Sequence, residues 1–192
     1  GTIFDAGAVQ VMYGGPGGLS SAGDQVFHQD TAGINDTAEG FDNLGRSLTS
    51  GDYDGDGFDD VAVGVPSEDV GGDDEGAVQI IYGTAGGLSS AGDQVFHQDS
   101  PGMNDTAESE DRFARAVTAG DFDADGFDDL AVGVRFEDLG GSDEGAVQVV
   151  YGSGSGITSA GDQVFHQDTP GMNDTAEDFD NFGGALVGSS NL

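Results

Sequence analysis

The chain has 192 residues, enough for one domain with a buried core, and carries 37 acidic residues against four basic ones, for a formal net charge of −33. A surface so negative excludes nucleic acid, because phosphate binding needs a cationic face, and argues equally against anionic membranes. No run of 18 apolar residues offers a membrane span, and with no cysteine there is neither a disulfide nor a thiolate metal site. Self-repulsion on this scale calls for bound cations or high salt to offset it. The first residue is Gly rather than Met and no signal peptide is visible, as expected of a processed chain or a piece of a longer one.

Three segments recur at an offset of 69 residues: Gly23–Asp30 at 92–99 and 161–168, Gly7–Gln10 at 76–79 and 145–148, and Asn35–Glu39 at 104–108 and 173–177. Within one period the pattern predicts four short strands. In chain order, Ala6–Tyr13 is a third strand and the Gly23–Asp30 segment carries a fourth. Asn43–Ser50 is a first strand and Asp59–Val65 a second, with Val61, Val63 and Val65 on one face and Ala62 and Gly64 on the other. Glu75–Gly83 is a third and Asp93–Gln98 a fourth, separated by the Gly-rich stretch Ala85–Gly92. No segment has a helical apolar period. The expected fold is therefore all-β: tandem four-stranded antiparallel propeller blades in an incomplete ring. The predicted divisions are 1–43 (a partial blade of strands three and four), 44–112 and 113–181 (complete repeats) and 182–192 (a further first strand, Phe182–Val187, of another blade). Small residues opposite the valines are expected to let strands crowd near the propeller axis.

Two loops carry the chemistry. Asp52–Asp60 and Asp121–Asp129 both read D-x-D-x-D-G-x-D-D. A hard cation such as calcium takes six to eight oxygens, and aspartates at alternate loop positions turn carboxylates to one side. The candidate ligands are Asp52, Asp54, Asp56, the Phe58 carbonyl and Asp60, and in the second loop Asp121, Asp123, Asp125, the Phe127 carbonyl and Asp129. Gly57 and Gly126 permit the sharp turn. Asp59 and Asp128 are expected to face outward or bond the loop backbone. Position 12 is Val63 or Val132 inside a strand, which excludes an EF-hand, and magnesium suits such a protein cage poorly.

These loops, the strands that follow and Asp111–Val117 before the second loop resemble the FG-GAP repeats of integrin α-subunit propellers and their microbial relatives. Asn181–Val187 keeps the Phe-Gly pair, whereas the second motif is degraded to Gly64-Val-Pro66 and Gly133-Val-Arg135. The resemblance implies a seven-bladed parent, calcium in two blade hairpins, and extracellular or cell-surface adhesion or display. In the third copy Ser190 and Leu192 replace the first two aspartates, so no third calcium site is expected.

Other features read more plainly. His28, His97 and His166 recur on the fourth strand and are expected to be structural. Asn35, Asn104 and Asn173 are candidate N-glycosylation acceptors, or else form Asx-turns. The acidic stretches Ser67–Glu75 and Glu137–Glu144 read as solvated loops, with weak cation binding as the alternative. The polar residues recur in every repeat, without the single asymmetric constellation that catalysis needs, so no enzyme activity is expected. The expected partners are a protein or glycan at a surface, or further copies of the chain in a homo-oligomer or filament. A fibre, tube or surface layer built by blade completion is thus one alternative function. A lectin-like propeller is another, opposed by aromatics that mostly fall at strand-core or calcium-loop positions.

Overall fold

The computed structural model describes residues 3–188. Among the described residues, ten strands form three antiparallel sheets that do not close into a ring. The first sheet pairs β1 (Val9–Gly15) with β2 (Gly18–Phe27). The second is the meander β3 (Leu48–Gly51), β4 (Asp60–Val65), β5 (Ala77–Tyr82) and β6 (Ser89–Phe96). The third repeats it as β7 (Phe113–Gly120), β8 (Asp129–Val134), β9 (Ala146–Tyr151) and β10 (Thr158–Phe165). Among the described residues there is no helix, hence none long and apolar enough to cross a membrane.

Alternation along each strand builds two cores. Val63, Val65 and Ile81 point toward the first sheet and pack with Val9, Phe27, Leu44 and Leu88. Ala62, Val78 and Ile80 point the other way and join Phe113, Val117, Leu130, Val132 and Val150 of the third sheet. Burying a valine or leucine in this way contributes roughly 1.5–3 kcal/mol each. The small residues opposite the valines serve the blade-to-blade contact: a Cβ on Gly64 would strike the Ala114 carbonyl, and one on Gly133 the Gly183 carbonyl.

The chain also interlocks successive blades through its backbone. The residues before each first strand run beside those before the preceding blade's third strand, with bonds Leu44 N→Ala6 O (3.0 Å), Phe113 N→Glu75 O (2.9 Å) and Phe182 N→Glu144 O (2.9 Å). Tyrosine hydroxyls add a second lock, accepting from Leu88 N (Tyr13, 2.8 Å) and Ile157 N (Tyr82, 3.1 Å) in the next blade.

Two expectations about strands are corrected. The first strand expected at Asn43–Ser50 begins only at Leu48, because Asn43 (φ 61°) and Gly45 (φ 90°) take left-handed conformations that bend the backbone against its neighbours. Phe182–Gly188 forms no strand but docks on the third sheet in turns and open backbone. A strand needs a hydrogen-bonded neighbour on at least one edge, and the second strand of that blade is not in this sequence. Ser190 and Leu192 lie outside the described residues.

Candidate metal centres

The β3–β4 and β7–β8 hairpins hold the aspartate loops. In the first, carboxylate oxygens of Asp52, Asp54 and Asp60 all lie within 4.8 Å of one another, and in the second those of Asp121, Asp123 and Asp129 do the same. Asp60 is fully buried at the start of β4, where Tyr53 N (2.8 Å) and Gly83 N (2.7 Å) donate to its two oxygens. Burial still dominates and pushes its carboxyl up to about 6, with the Asp54 and Asp52 charges adding to the shift. Asp129 is anchored in the same way by Phe122 N (2.7 Å) and Gly152 N (2.9 Å), and burial likewise raises its carboxyl. Asp52 Oδ2 accepts from Gly57 N (3.0 Å), while its Oδ1 is buried with no hydrogen-bond partner. That orphan oxygen beside two further carboxylates fits a cation.

Of the remaining expected ligands, Asp56 and Asp125 stand outside these trios. Each accepts from the amide two residues on, Phe58 N at 2.8 Å and Phe127 N at 3.0 Å, in an Asx-turn that shapes the loop. Gly57 (φ 90°) and Gly126 (φ 97°) take the left-handed turn, as expected. Asp59 is exposed, but Asp128 reaches across to the other loop: its Oδ2 accepts from Asp52 N (3.0 Å), and its own N–H donates to Asp52 O (3.0 Å). The Phe127 ring covers Gly55, where a Cβ would collide with it. The first loop is therefore gripped by the next blade, a contact between residues 76 apart in sequence that spacing alone does not announce.

The structure brings together two further carboxylate trios that sequence reading missed. Glu39, Asp42 and Glu68 converge within 4.8 Å, as do Glu108, Asp111 and Glu137. The acidic stretches expected to be solvated are in part buried: Glu68 is 7%, Glu75 6%, Glu137 2% and Glu144 7% exposed. Burial raises Glu68 and Glu137 to about 9, and the carboxylates of Asp36, Asp42 and Glu39 around Glu68, and of Asp105, Asp111 and Glu108 around Glu137, push the same way. The exact recurrence of Glu39, Asp42 and Glu68 one period later was the available signal.

The other sites are plainer. The histidines sit just past the fourth strands, joining no carboxylate group among the described residues, and burial lowers the His97 value. Asn35 and Asn104 are exposed residues, but the amide nitrogen that a glycan would occupy donates to Asp93 Oδ1 (2.7 Å) and Asp162 Oδ1 (2.6 Å) in the next blade. Asn173 is also exposed. Phe27 and Phe113 are core residues, whereas Phe4, Phe41 and Phe179 are exposed exceptions among the aromatics.

Comparison with known proteins agrees with this architecture. The FG-GAP repeat matches residues 44–81 and 113–150, the first three strands of each complete sheet. Over 128 residues the chain is 36% identical to phosphatidylinositol-glycan-specific phospholipase D of Bos taurus, covering 65% of this chain and 15% of that protein. Over 135 residues it is 30% identical to integrin alpha-3 of Cricetulus griseus, covering 67% of this chain and 11% of that protein. The chain thus spans only a small part of the length of these relatives. With the repeat matched at both complete sheets, the chain belongs to the FG-GAP repeat family of integrin-like β-propellers.

Proposed function

We propose that this chain is a non-catalytic, calcium-stabilised propeller segment that works outside the cell in display, adhesion or assembly. The observation that carries the reading is Asp52 Oδ1, buried and unpartnered beside Asp54 and Asp60, in a trio repeated at Asp121, Asp123 and Asp129. The carbonyls of Phe58 and Phe127, with Asp56 and Asp125, would complete the shells. Calcium supplies positive charge where three carboxylates repel, so binding is linked to folding. Because Asp128 and Phe127 of the next blade hold the first loop, ordering that loop also supports the contact between blades.

The integrin-like relationship favours an extracellular setting and a protein or glycan partner. The phospholipase activity named for one relative is not carried over, since the match covers only 15% of that protein. Thermal melting of Asp54→Ala and Asp123→Ala tests the reading. Both variants should melt lower than the parent in calcium and close to it in chelator. Equal losses in both conditions would refute a metal role.

Assembly by blade addition is a second reading, favoured by the two open faces. At one end Met12 and Leu19 are exposed, where their repeat counterparts Ile81 and Leu88 are buried. At the other, Phe122, Val149, Tyr151, Phe165 and Leu186 line an open groove on the third sheet. Sedimentation at rising concentration should show association, and a strict monomer would remove this reading.

A further inference from the structure

The four cations of the chain stand in one place. All four basic residues are arginines, against 37 acidic residues. Arg46 precedes β3, Arg112 precedes β7, Arg115 lies in β7 and Arg135 follows β8. Ser47 Oγ donates to Ala114 O (2.7 Å), which sets Arg46 of one blade beside Arg115 of the next. A turn closed by Arg115 N→Arg112 O (3.2 Å) brings Arg112 alongside, and the pairing of Phe113 with Val134 places Arg135 next to Arg112. Arg112 and Arg135 both lie over the Phe136 ring, 5.6 Å and 4.6 Å from its centre. Burial lowers the Arg115 value, and the charges of Arg46, Arg135 and Arg112 lower it further, so these guanidinium groups repel one another at short range.

Such a gathering is unfavourable unless an anion offsets it, and the chain supplies almost none of its own. Among the described residues the one ion pair is Arg112 with Asp74 (3.3 Å). Arg135 Nε donates to a neutral group, Asn181 Oδ1 (2.8 Å). Arg46 is exposed and Arg115 and Arg135 are half-buried, and among the described residues none of the three pairs with a carboxylate. Arginines serving only to offset net charge would be spread out, each beside one of the many acidic residues. The repeat sharpens the point. Asn43, Pro66 and Ser67 stand one period before Arg112, Arg135 and Phe136, so two cations and the ring that holds them enter together. In the third copy Gly184 stands where Arg46 and Arg115 do, and Asn181 where Arg112 does. The cluster is therefore unique in the chain, unlike the aspartate hairpins.

We propose that Arg46, Arg112, Arg115 and Arg135 form a binding site for a small oxyanion, a sulfate or a carboxylate group, at the junction of the two complete blades. A guanidinium presents a planar fork of N–H donors that matches two oxygens of either group, and it stays charged at any physiological pH. Phe136 holds two of the forks in place before the ligand arrives, which lowers the ordering cost of binding. The acidic surface around the patch restricts the ligand to low charge, because a polyanion reaching beyond the arginines would be repelled. Arg46 belongs to one blade and the other three to the next, so a bound anion also ties the blades together. The site shares no residue with the aspartate hairpins, and its failure would leave the calcium reading standing.

Isothermal titration of the full chain with sodium sulfate and, separately, with sodium succinate tests this, in calcium and at an ionic strength held constant with chloride. Saturable binding of at least one anion is expected, and it should weaken about tenfold or more in Arg46→Gln and in Arg115→Gln. Circular dichroism checks that both variants fold. Arg46 is exposed, so Arg46→Gln decides the matter if Arg115→Gln does not fold. Binding of sulfate alone would assign the site to a tetrahedral anion, and binding of succinate alone to a carboxylate. No saturable binding of either, or an affinity unchanged in folded Arg46→Gln, would overturn the proposal.

Discussion

Three tyrosines at the same repeat position make an unusually clean test of how the blades are held together. Tyr82 Oη accepts from Ile157 N (3.1 Å) and donates to Gln94 Oε1, and among the described residues no other acceptor meets that amide. Tyr82→Phe removes the acceptor and leaves the amide of a nearly buried residue without a partner, which costs about 1–2 kcal/mol at a partly buried bond. Tyr13 Oη accepts from Leu88 N at 2.8 Å, but Gln25 Oε1 stands 3.0 Å from the same nitrogen and can keep it satisfied. Tyr13→Phe should therefore cost less, roughly 0.5–1 kcal/mol. Among the described residues Tyr151 Oη bonds only Gln163, at 2.8 Å on an exposed face, so Tyr151→Phe should stay within about 0.5 kcal/mol of the parent. Urea unfolding of the three variants in calcium reads these differences, and melting temperatures should fall by roughly 2–8 °C for Tyr82→Phe. Equal losses at all three positions, or the largest at Tyr151, would refute the claim that these hydroxyls lock one blade to the next.

Gly64→Ala and Gly133→Ala should each destabilise by about 1–3 kcal/mol or more, because the added methyl meets a backbone carbonyl that can move only by parting the blades, whereas Gly17→Ala, with open space around it, should be near neutral in the same denaturation assay. In chelator, folding stability should fall as pH rises from the ordinary glutamate value of 4.5 through about 9, because Glu68 and Glu137 hold their protons more tightly in the folded chain than in the unfolded one. The loss should be on the order of a few kcal/mol. Glu68→Gln/Glu137→Gln should flatten that slope in urea titrations at about pH 5 and about pH 8, and a parent whose stability rises over this range would contradict the assignment.

Much of the fold is legible in the sequence because the repeat compares the chain with itself. The valine alternation of Asp59–Val65 becomes β4, and Glu75–Gly83 contains β5, since period-two patterning is fixed by burial on both faces. The first strand is less legible. Asn43, Leu44 and Gly45 look extended, yet they bend because the amides of Asn43 and Leu44 are taken by the preceding blade and that of Gly45 by Gly64 of its own blade. Strand four starts earlier than expected, at Ser89, since the Gly-rich stretch pairs with β5 after a bulge between Ile80 and Tyr82. In the hairpins, spacing singled out Asp52, Asp54 and Asp60, whose carboxylates the structure brings together, but could not tell that Asp56 turns back to its own loop, or that Asp128 serves its neighbour's. The inter-blade trios were hidden for a simpler reason. Asp42 and Glu68 meet only through tertiary packing, and an acidic loop in so acidic a chain reads as solvated until the burial of Glu68 is seen.

Calorimetric calcium titration of the metal-stripped chain, at low and at high salt and with melting followed alongside, tests the central claim most directly. Hairpin binding should release heat that Asp54→Asn/Asp123→Asn removes, and calcium should raise the melting temperature even when salt has already screened the surface charge. No calcium heat, with stability following salt alone, would contradict it and reduce the aspartate hairpins to acidic turns.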